Sequence, residues 1–428
     1  MANIYRAPKG MRDILYPQSE WMAQILSVAS EICETFGYRR IETPIMEEYE
    51  LFARSIGKET DIVTKEMYVF EDKSGDILSL RPEGTAPSVR AFLEGGLLSR
   101  GLPQKIYYTG PFFRRERPQA GRYRQFHQIG VEAIGSDDPL LDAEIISLSF
   151  EFFRRFKLSQ FSLELNSVGC PRCRPAYTAK LKDFLEGVSG ELCNDCKARK
   201  EKNPLRVLDC KNPSCGSLLR GAPKILENLC PDCETHFSEV CNFLQMMGYS
   251  YTLNSRLVRG LDYYTRTTFE FKFEGLGAQS TVSAGGRYDG LVEELGGPSL
   301  PAVGFSLGVE RLMLAMDEEG FNFNPGGIEV FIASTVTNRS KVLNLLRKLR
   351  ESGFSSDADF MQRSLKAQMK HADRLNAKVV VIIGEDELSR GELVVRDLVN
   401  SKQFTVKEKE IVSRVGEMLE RIKRGNGD

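Results

Sequence analysis

Five cations fall within eleven residues of the segment TGPFFRRERPQAGRYRQFHQIGVEAIG (109–135): Arg114, Arg115, Arg117, Arg122 and Arg124. A guanidinium fork binds two oxygens at once and does not deprotonate, so such a cluster is suited to phosphate. Phe126 offers an aromatic face on which a base could stack. A solvated basic hairpin is the plain alternative for this segment alone. Further along, LVRGLDYYTRTTFEF (257–271) carries Arg259, Asp262, Tyr263 and Tyr264 at the centre of a strand-like apolar run. Burying such charges costs several kcal/mol unless each is partnered. Either Arg259 and Asp262 pair internally or they face a charged ligand. In AVGFSLGVERLML (302–314), Gly304 and Gly308 flank a strand-to-helix passage, and Arg311 at the helix start could reach a second phosphate.

The ten cysteines are unevenly spread, with eight between Cys170 and Cys233. They form four close pairs: Cys170/Cys173, Cys193/Cys196, Cys210/Cys215 and Cys230/Cys233. Two such pairs make one tetrahedral Cys₄ zinc site, so one or two structural zinc ions are expected here; spacing does not say which pairs combine. Reduced, partly buried thiols are the competing reading. Cys33 and Cys241 lack a close partner and read as core residues.

These groups need elements to position them. SEWMAQILSVASEICETF (19–36) has helical spacing, with Trp21, Ile25, Val28, Ile32 and Phe36 on one face. RIETPIME, MYVFED, ILSLRPEG and QFHQIGVEAIG read as strands, GLPQKIYYTGPFFRRERP as strand, turn, strand, and DAEIISLSFEFFRRF as an amphipathic helix. The first 165 residues therefore predict an antiparallel sheet with helices on it. From Ser167 to Tyr249, cysteine pairs, prolines and short helices replace long strands. Strands return through LVRGLDYYTRTTFEFKF and STVSAGGRYDG, and GFSLGVERLMLAM predicts a helix. NFNPGG (322–327) is a linker by composition. Strands and helices then alternate, as in a small α/β domain with a parallel or mixed sheet. His127 lies beside Gln128 on a strand, so alternation turns it to the opposite face and away from catalysis.

The chain has 428 residues, which predicts about three domains. No apolar run approaches the roughly 18 residues of a membrane helix, and the amino terminus shows no apolar signal segment. The expectation is a cytoplasmic protein, in which disulfides are not expected. The formal net charge of −1 gives no overall signal for nucleic acid. From Ile328 onward, 19 Lys+Arg face 15 Asp+Glu, leaving 39 against 44 in the remainder. That carboxy-terminal excess points weakly to a polyanion partner.

FRRE…RYRQF followed far downstream by GFSLGVERL resembles motifs 2 and 3 of class II aminoacyl-tRNA synthetases. LVRGLDYYTRTTFEF and SAGGRYDGLVEELGG look like the two peptides peculiar to histidyl-tRNA synthetases. RPEGTAPSVRAF (81–92) and APKGMRDILYP also match that family, and the resemblance covers essentially the whole chain in order. It implies an α+β fold: a class II antiparallel-sheet catalytic domain (1–166 and 250–322), an inserted helical and cysteine-rich domain (167–249), a linker (323–327) and an α/β anticodon-binding domain (328–428). It implies a homodimer that activates L-histidine with ATP and Mg²⁺ and charges the tRNA for histidine.

Carried over residue by residue, the resemblance implies that Arg114 and Arg259 hold the α-phosphate and the attacking carboxylate, Arg259 standing where related enzymes place a metal. Glu116, Phe126 and Arg311 would hold ATP, with Arg311 on the γ-phosphate. Glu83, Thr85 and Gln128 would accept the substrate ammonium. Glu132 and Tyr264 would hold the imidazole, with Tyr263 and Tyr288 in the pocket wall. Asp262 would orient its surroundings. Gly285, Gly286 and Gly290 would let a loop approach the bound histidine. Arg117, Gln119, Arg122 and Arg124 would meet the tRNA acceptor end. The family does not require a metal at the cysteines. The rival from another class, a regulatory subunit of ATP phosphoribosyltransferase, should lack both the anticodon domain and the intact RGLDYY peptide.

Overall fold

The computed structural model describes residues 5–324 and 326–425. The first four residues of the amino-terminal stretch and Pro325 of the expected linker lie outside the described residues. The Gln104–Phe113 and Gln125–Ile134 strands pair antiparallel, from Gln104 opposite Ile134 to Phe113 opposite Gln125. The arginine-rich segment is the connection between them. They belong to an eight-stranded sheet in the order Arg39–Arg40, Gln104–Phe113, Gln125–Ile134, Ala302–Gly308, Thr281–Arg287, Thr265–Phe273, Phe161–Ser167, Thr252–Leu253. The six central strands are mutually antiparallel, and a short parallel strand closes each edge.

Alternation along the central strands divides the chemistry. Ile129, Val131 and Ala133 enter the core with the helices Gln18–Thr35 and Pro139–Arg155, beside Phe152, Phe269 and Phe305. Gln128, Gly130 and Glu132 therefore turn to the opposite face. Gly130 is required there: a side chain would run into the Tyr108 ring, as one at Gly84 would from the other side. A three-stranded sheet (Met46–Glu48, Ile77–Leu80, Tyr68–Glu71) adjoins through Arg81, whose guanidinium donates to the Pro111 and Thr43 carbonyls at 3.0 and 2.9 Å.

The chain divides into two compact units, Met1–Phe323 and Asn324–Asp428. Residues 167–249 are not separated from the first unit; they contribute its helices Arg174–Gly187, Asn194–Lys202, Pro213–Leu218 and Pro231–Met246. The second unit has a mixed sheet in the order Ser356–Ala358, Val330–Ser334, Val379–Ile383, Glu392–Asp397, Lys402–Lys407. Its first three strands are parallel and the last two antiparallel.

Three local expectations change. The turn expected inside IYYTGPFF is absent, and Gln104–Phe113 is one strand. Pro111 is tolerated because the neighbouring Arg39–Arg40 strand reaches only Ile106 and Tyr107, leaving Pro111 on an edge where no N–H is required. RIETPIME splits into Arg39–Arg40 and Met46–Glu48, which join different sheets. The 257–264 stretch is not strand: Thr265–Phe273 begins after the two tyrosines, so Arg259 and Asp262 sit on a loop.

Candidate active site

A cleft of about 160 Å³ opens on the polar face of the eight-stranded sheet. Its lining comes from separate stretches that include Glu83 and Thr85; Tyr108; Arg114, Glu116, Arg122, Phe126 and Gln128; Arg259, Tyr263 and Tyr264; residues 281–284; and Arg311. Arg114 is held by its Nε–H, which donates to the Pro82 carbonyl at 2.9 Å, and its guanidinium lies 5.5 Å from the Phe126 ring centroid. Arg311 donates to the carbonyls of Thr281 at 2.6 Å and Gly121 at 3.3 Å. Burial, with the like charges of Arg122 and Arg114, pulls the Arg311 pKa down to about 10. Cations gathered this closely are destabilised until an anion joins them.

Arg259 finds a different partner from the one considered at the start. It pairs with Glu270, whose other oxygen accepts from the Thr281 hydroxyl at 2.9 Å. Burial, the largest single influence, disfavours the Arg259 charge, but Glu270 together with Tyr264 and Tyr263 outweighs it and the net shift is upward. Asp262 instead accepts from Asn203 Nδ2 at 2.9 Å and lines a neighbouring cavity of about 260 Å³. Three buried polar atoms of cleft-lining residues have no hydrogen-bond partner among the described residues: Glu116 Oε2, which is nonetheless ion-paired with Arg122, and Arg259 Nε and Gln128 Oε1. Buried polar atoms are seldom left so in a protein whose site is filled.

Glu132 and Tyr288 stand behind the cleft surface, each 1% exposed. The Glu132 carboxylate accepts from the hydroxyls of Thr85 at 2.8 Å, Tyr108 at 3.2 Å and Tyr288 at 2.5 Å. Burial raises its pKa to about 8 against the opposing pull of these donors. A side chain at Gly304 would collide with this carboxylate. Glu83 is held by the Thr85 and Ala86 N–H groups at 2.7 and 3.0 Å, at the start of the Thr85–Glu94 helix. Tyr263 packs against Tyr264 and Tyr288, with centroids 4.8 and 5.7 Å apart.

The loop residues separate. Arg117 and Gln119 are exposed. Arg122 pairs with Glu116 inside the cleft, which turns Glu116 toward a cation as well as toward any ligand. Arg124 is packed under the amino-terminal turn: its N–H donates to the Gly10 carbonyl at 2.8 Å, and Gly10, at φ +84°, leaves room for its side chain. Gly285 and Gly286 are in the Thr281–Arg287 strand, where they admit neighbouring backbone at Gly304 and Thr267; neither they nor Gly290 line the cleft. His127 faces away and engages Glu310, Nδ1 to Oε1 at 2.9 Å. Sequence reasoning missed Glu270 and Tyr108. A lone acid within TRTTFEFKF was a signal for the first. Nothing local marked the second.

The eight paired cysteines gather into two tetrads that could hold a metal, Cys170/Cys173/Cys230/Cys233 and Cys193/Cys196/Cys210/Cys215. Within each, the sulfurs lie within 4.8 Å of one another.

A family model for histidyl-tRNA synthetase matches residues 10–174 and 218–312, and one for an anticodon-binding domain matches 329–418. The histidine–tRNA ligase of Halothermothrix orenii is 49% identical over 404 residues, covering 94% of this chain and 96% of that protein. That of Moorella thermoacetica is 49% identical over 415 residues, covering 96% and 98%. The crystal structure of apo S. aureus histidyl-tRNA synthetase superposes with a TM-score of 0.82 at 35% identity, covering 96% of this chain and 100% of that one. The histidyl-tRNA synthetase from Nostoc sp. PCC 7120, at 20% identity and a TM-score of 0.70 with 97% and 100% covered, shares the fold. With its motifs in order along one polar sheet face, and with relatives of this kind matched from end to end, the chain belongs to the histidyl-tRNA synthetase family.

Proposed function

We propose that this chain is a histidine–tRNA ligase whose cleft joins L-histidine to the α-phosphate of MgATP. In the first step a histidine carboxylate oxygen attacks the α-phosphorus, the bond to the β-phosphate oxygen breaks, and diphosphate leaves. In the second, the terminal ribose hydroxyl of the tRNA attacks the activated carbonyl and AMP leaves. Both partners of the first step are anions, so the site must hold positive charge where negative charge builds. Arg114 and Arg259 supply it at the α-phosphate and Arg311 at the γ-phosphate, while Phe126 stacks on adenine and Glu116 faces its edge. Gln128 and Glu83, with Thr85, take the substrate ammonium. The imidazole lies against Tyr264 above Glu132, with Tyr263 and Tyr288 packing the wall. Arg117 and Gln119, the exposed members of their loop, meet the acceptor end, with Arg122 and Arg124 setting the loop's shape.

The observation that carries this reading is the pair of orphaned buried atoms, Arg259 Nε and Gln128 Oε1, in one cleft with the crowded arginines. They await an anion and an ammonium, the two ends of an amino acid being activated. A regulatory-subunit reading is not favoured, because the anticodon-binding model matches 329–418 and the relatives at 49% identity are named ligases. Histidine-dependent exchange of pyrophosphate into ATP tests it; exchange with another amino acid and none with histidine would overturn it.

Three finer parts of the reading concern assembly and place. The inserted segment 167–249 is carried by a catalytic domain formed by the stretches before and after it, and 328–428 reads the anticodon. The enzyme works as a homodimer in the cytoplasm, where tRNA is charged; light scattering at one chain's mass would contradict the dimer. Each cysteine tetrad holds one zinc ion. A Zn–S length near 2.3 Å implies sulfurs ~3.8 Å apart along a tetrahedral edge. The Cys170–Cys173 and Cys170–Cys230 separations are 3.8 Å, and those of Cys173–Cys233 and Cys193–Cys210 are 3.9 Å. These are too long for disulfides, and every donor is a cysteine, so the sites are closed and structural.

A further inference from the structure

The cysteine tetrad at 193–215 falls in residues 175–217, the stretch lying between the two segments matched by the family model. Its four cysteines bracket a strap. The Asn194–Lys202 helix starts at Cys193 and carries Cys196 in its first turn. A 3₁₀ turn, Pro204–Val207, follows, and then Cys210; Cys215 lies in the next helix, Pro213–Leu218. Residues 197–209 are thus a loop tied at both ends by the tetrad. Its Pro204–Val207 turn is seated in the core through buried Pro204, Val207 and Leu208, so the tetrad matters most for the helical half. Of the Asn194–Lys202 helix only Cys196 and Lys200 are buried, so it has almost no apolar face to dock.

The middle of this strap grips the loop that presents Arg259. Arg206 Nη1 donates to the Arg259 carbonyl at 2.8 Å, and Asn203 Nδ2 donates to Asp262 Oδ1 at 2.9 Å. Gly260 sits between these contacts, where an added side chain would press on Arg206. From the strap's outer side, Arg199 pairs with Asp61 at 2.9 Å and Lys202 pairs with Glu59. That 56–61 segment closes the ring, because the Asp262 N–H donates to the Ile56 carbonyl at 3.1 Å and Asp262 packs on Gly57. Residues 257–264 precede their strand and lack a ladder of their own, so these contacts, with Asn166 on the Leu257 carbonyl and Arg174 on the Tyr264 carbonyl, set the Arg259 backbone from which its guanidinium reaches Glu270.

We propose that the Cys193/Cys196/Cys210/Cys215 site is a positioning element for amino-acid activation: a zinc ion there fixes the 197–209 strap, and through Asn203 and Arg206 the strap holds Arg259 against the reacting phosphate. This rests on the zinc reading given above. Arg206 and Asn203 are positioning residues, acting through Arg259 and touching no substrate. An anchor that acts on a transition-state contact lowers kcat more than it raises KM.

The test uses full-length protein and four forms: wild type, Arg206→Ala, Arg206→Lys and the double change Cys210→Ser/Cys215→Ser. Zinc content, melting temperature, and kcat and KM for histidine and ATP in pyrophosphate exchange are measured for each. The expected result is two zinc ions per chain in the wild type and both Arg206 variants, and one in the double-serine form. Arg206→Ala and the double-serine form lose at least tenfold in kcat, with KM values changed less than threefold, and Arg206→Lys recovers most of the loss. Wild type with no zinc overturns the zinc reading and the metal's part in this one. Two zinc ions in the wild type, with unimpaired kcat in Arg206→Ala or in the one-zinc form, overturns the positioning role alone. A double-serine form that fails to fold leaves Arg206→Ala and its lysine rescue to decide.

Discussion

Replacing Glu132 by glutamine keeps the shape of the pocket floor and removes one charge, so its consequences can be worked from the structure. The carboxyl is buried, receives three hydroxyl donors and has its pKa raised to about 8. When an imidazole meets this carboxyl, the proton that burial keeps on Glu132 can be shared with the ring, and the resulting carboxylate–imidazolium hydrogen bond is charge-assisted, where a glutamine offers only a neutral one. A charged hydrogen bond is worth about 1.5–3 kcal/mol against about 0.5–1.5 for a neutral one, and the difference of about 1–1.5 kcal/mol corresponds to a loss of roughly 5- to 13-fold in kcat/KM for histidine. The stability of the free protein should move the other way. With a folded pKa near 8 and an ordinary value of 4.5, the folded chain keeps a proton that the unfolded chain releases between those pH values. Unfolding free energy therefore falls as pH rises from 4.5 to about 8, and this contribution is flat above that. Glutamine removes that slope. Glu132→Gln should gain on the wild type by on the order of a few kcal/mol between pH 5 and pH 8.5. Pyrophosphate exchange kinetics and urea unfolding at the two pH values read both effects. A kcat/KM within twofold of wild type, with parallel pH profiles of stability, would refute both the pocket assignment and the burial argument.

Other perturbations follow from the same geometry. Arg259→Ala should cut histidine-dependent exchange by about 10²–10³-fold, the range for losing one preorganised donor, while circular dichroism changes little and the melting transition falls moderately, because Glu270 loses its main cation but keeps the Thr281 hydroxyl and Lys272 at 4.0 Å. Gly304→Ala should raise the histidine KM more than tenfold with a smaller effect on the KM for ATP and should also lower the melting temperature, because the new methyl meets both the Glu132 carboxylate and the Val131 carbonyl of the neighbouring strand. Arg287→Ala should cost about 3–5 kcal/mol in urea unfolding, as it strands Asp142. Both side chains are fully buried, Arg287 donating to Asp142 Oδ2 at 2.8 Å. Burial alone would raise the Asp142 pKa, but Arg287 and then His236 outweigh it and hold it below the ordinary value. Its stabilising contribution is therefore present above the unfolded pKa near 3.8 and lost as pH falls through the lower folded one.

The parts of the site that were legible in the sequence are those where local composition conflicts with burial. Arg259 stood out because a cation in an apolar run needs an anion, Arg114 because five arginines crowd one segment and Arg311 because it opens a helix after two glycines, and all three line one cleft. For Arg259 the sequence offered the nearer Asp262, three residues away, or a charged ligand as the answering group. Glu270, eleven residues away on the next strand, was the partner, because a loop rather than a strand carries Arg259. Tyr108 was invisible for a different reason: its place depends on two glycines, Gly84 and Gly130, brought beside it only by the assembled sheet. The cysteine pairs were plain from spacing, but their combination into 170/173 with 230/233 depends on the Pro231–Met246 helix returning to the exit of the Phe161–Ser167 strand. In the carboxy-terminal unit, the Glu392–Asp397 and Lys402–Lys407 hairpin went unread although both strands alternate. It makes the sheet mixed, one of the two forms expected.

The claim beneath all of this is that guanidinium groups from separate stretches converge on one nucleotide's phosphates beside a cavity for imidazole. A crystal structure of the protein with L-histidine and a non-hydrolysable MgATP analogue tests it most directly. The α-phosphate is predicted to lie between Arg114 and Arg259, the γ-phosphate at Arg311 and the imidazole between Tyr264 and Glu132. A nucleotide bound elsewhere, or an α-phosphate out of hydrogen-bond reach of both Arg114 and Arg259, would contradict it.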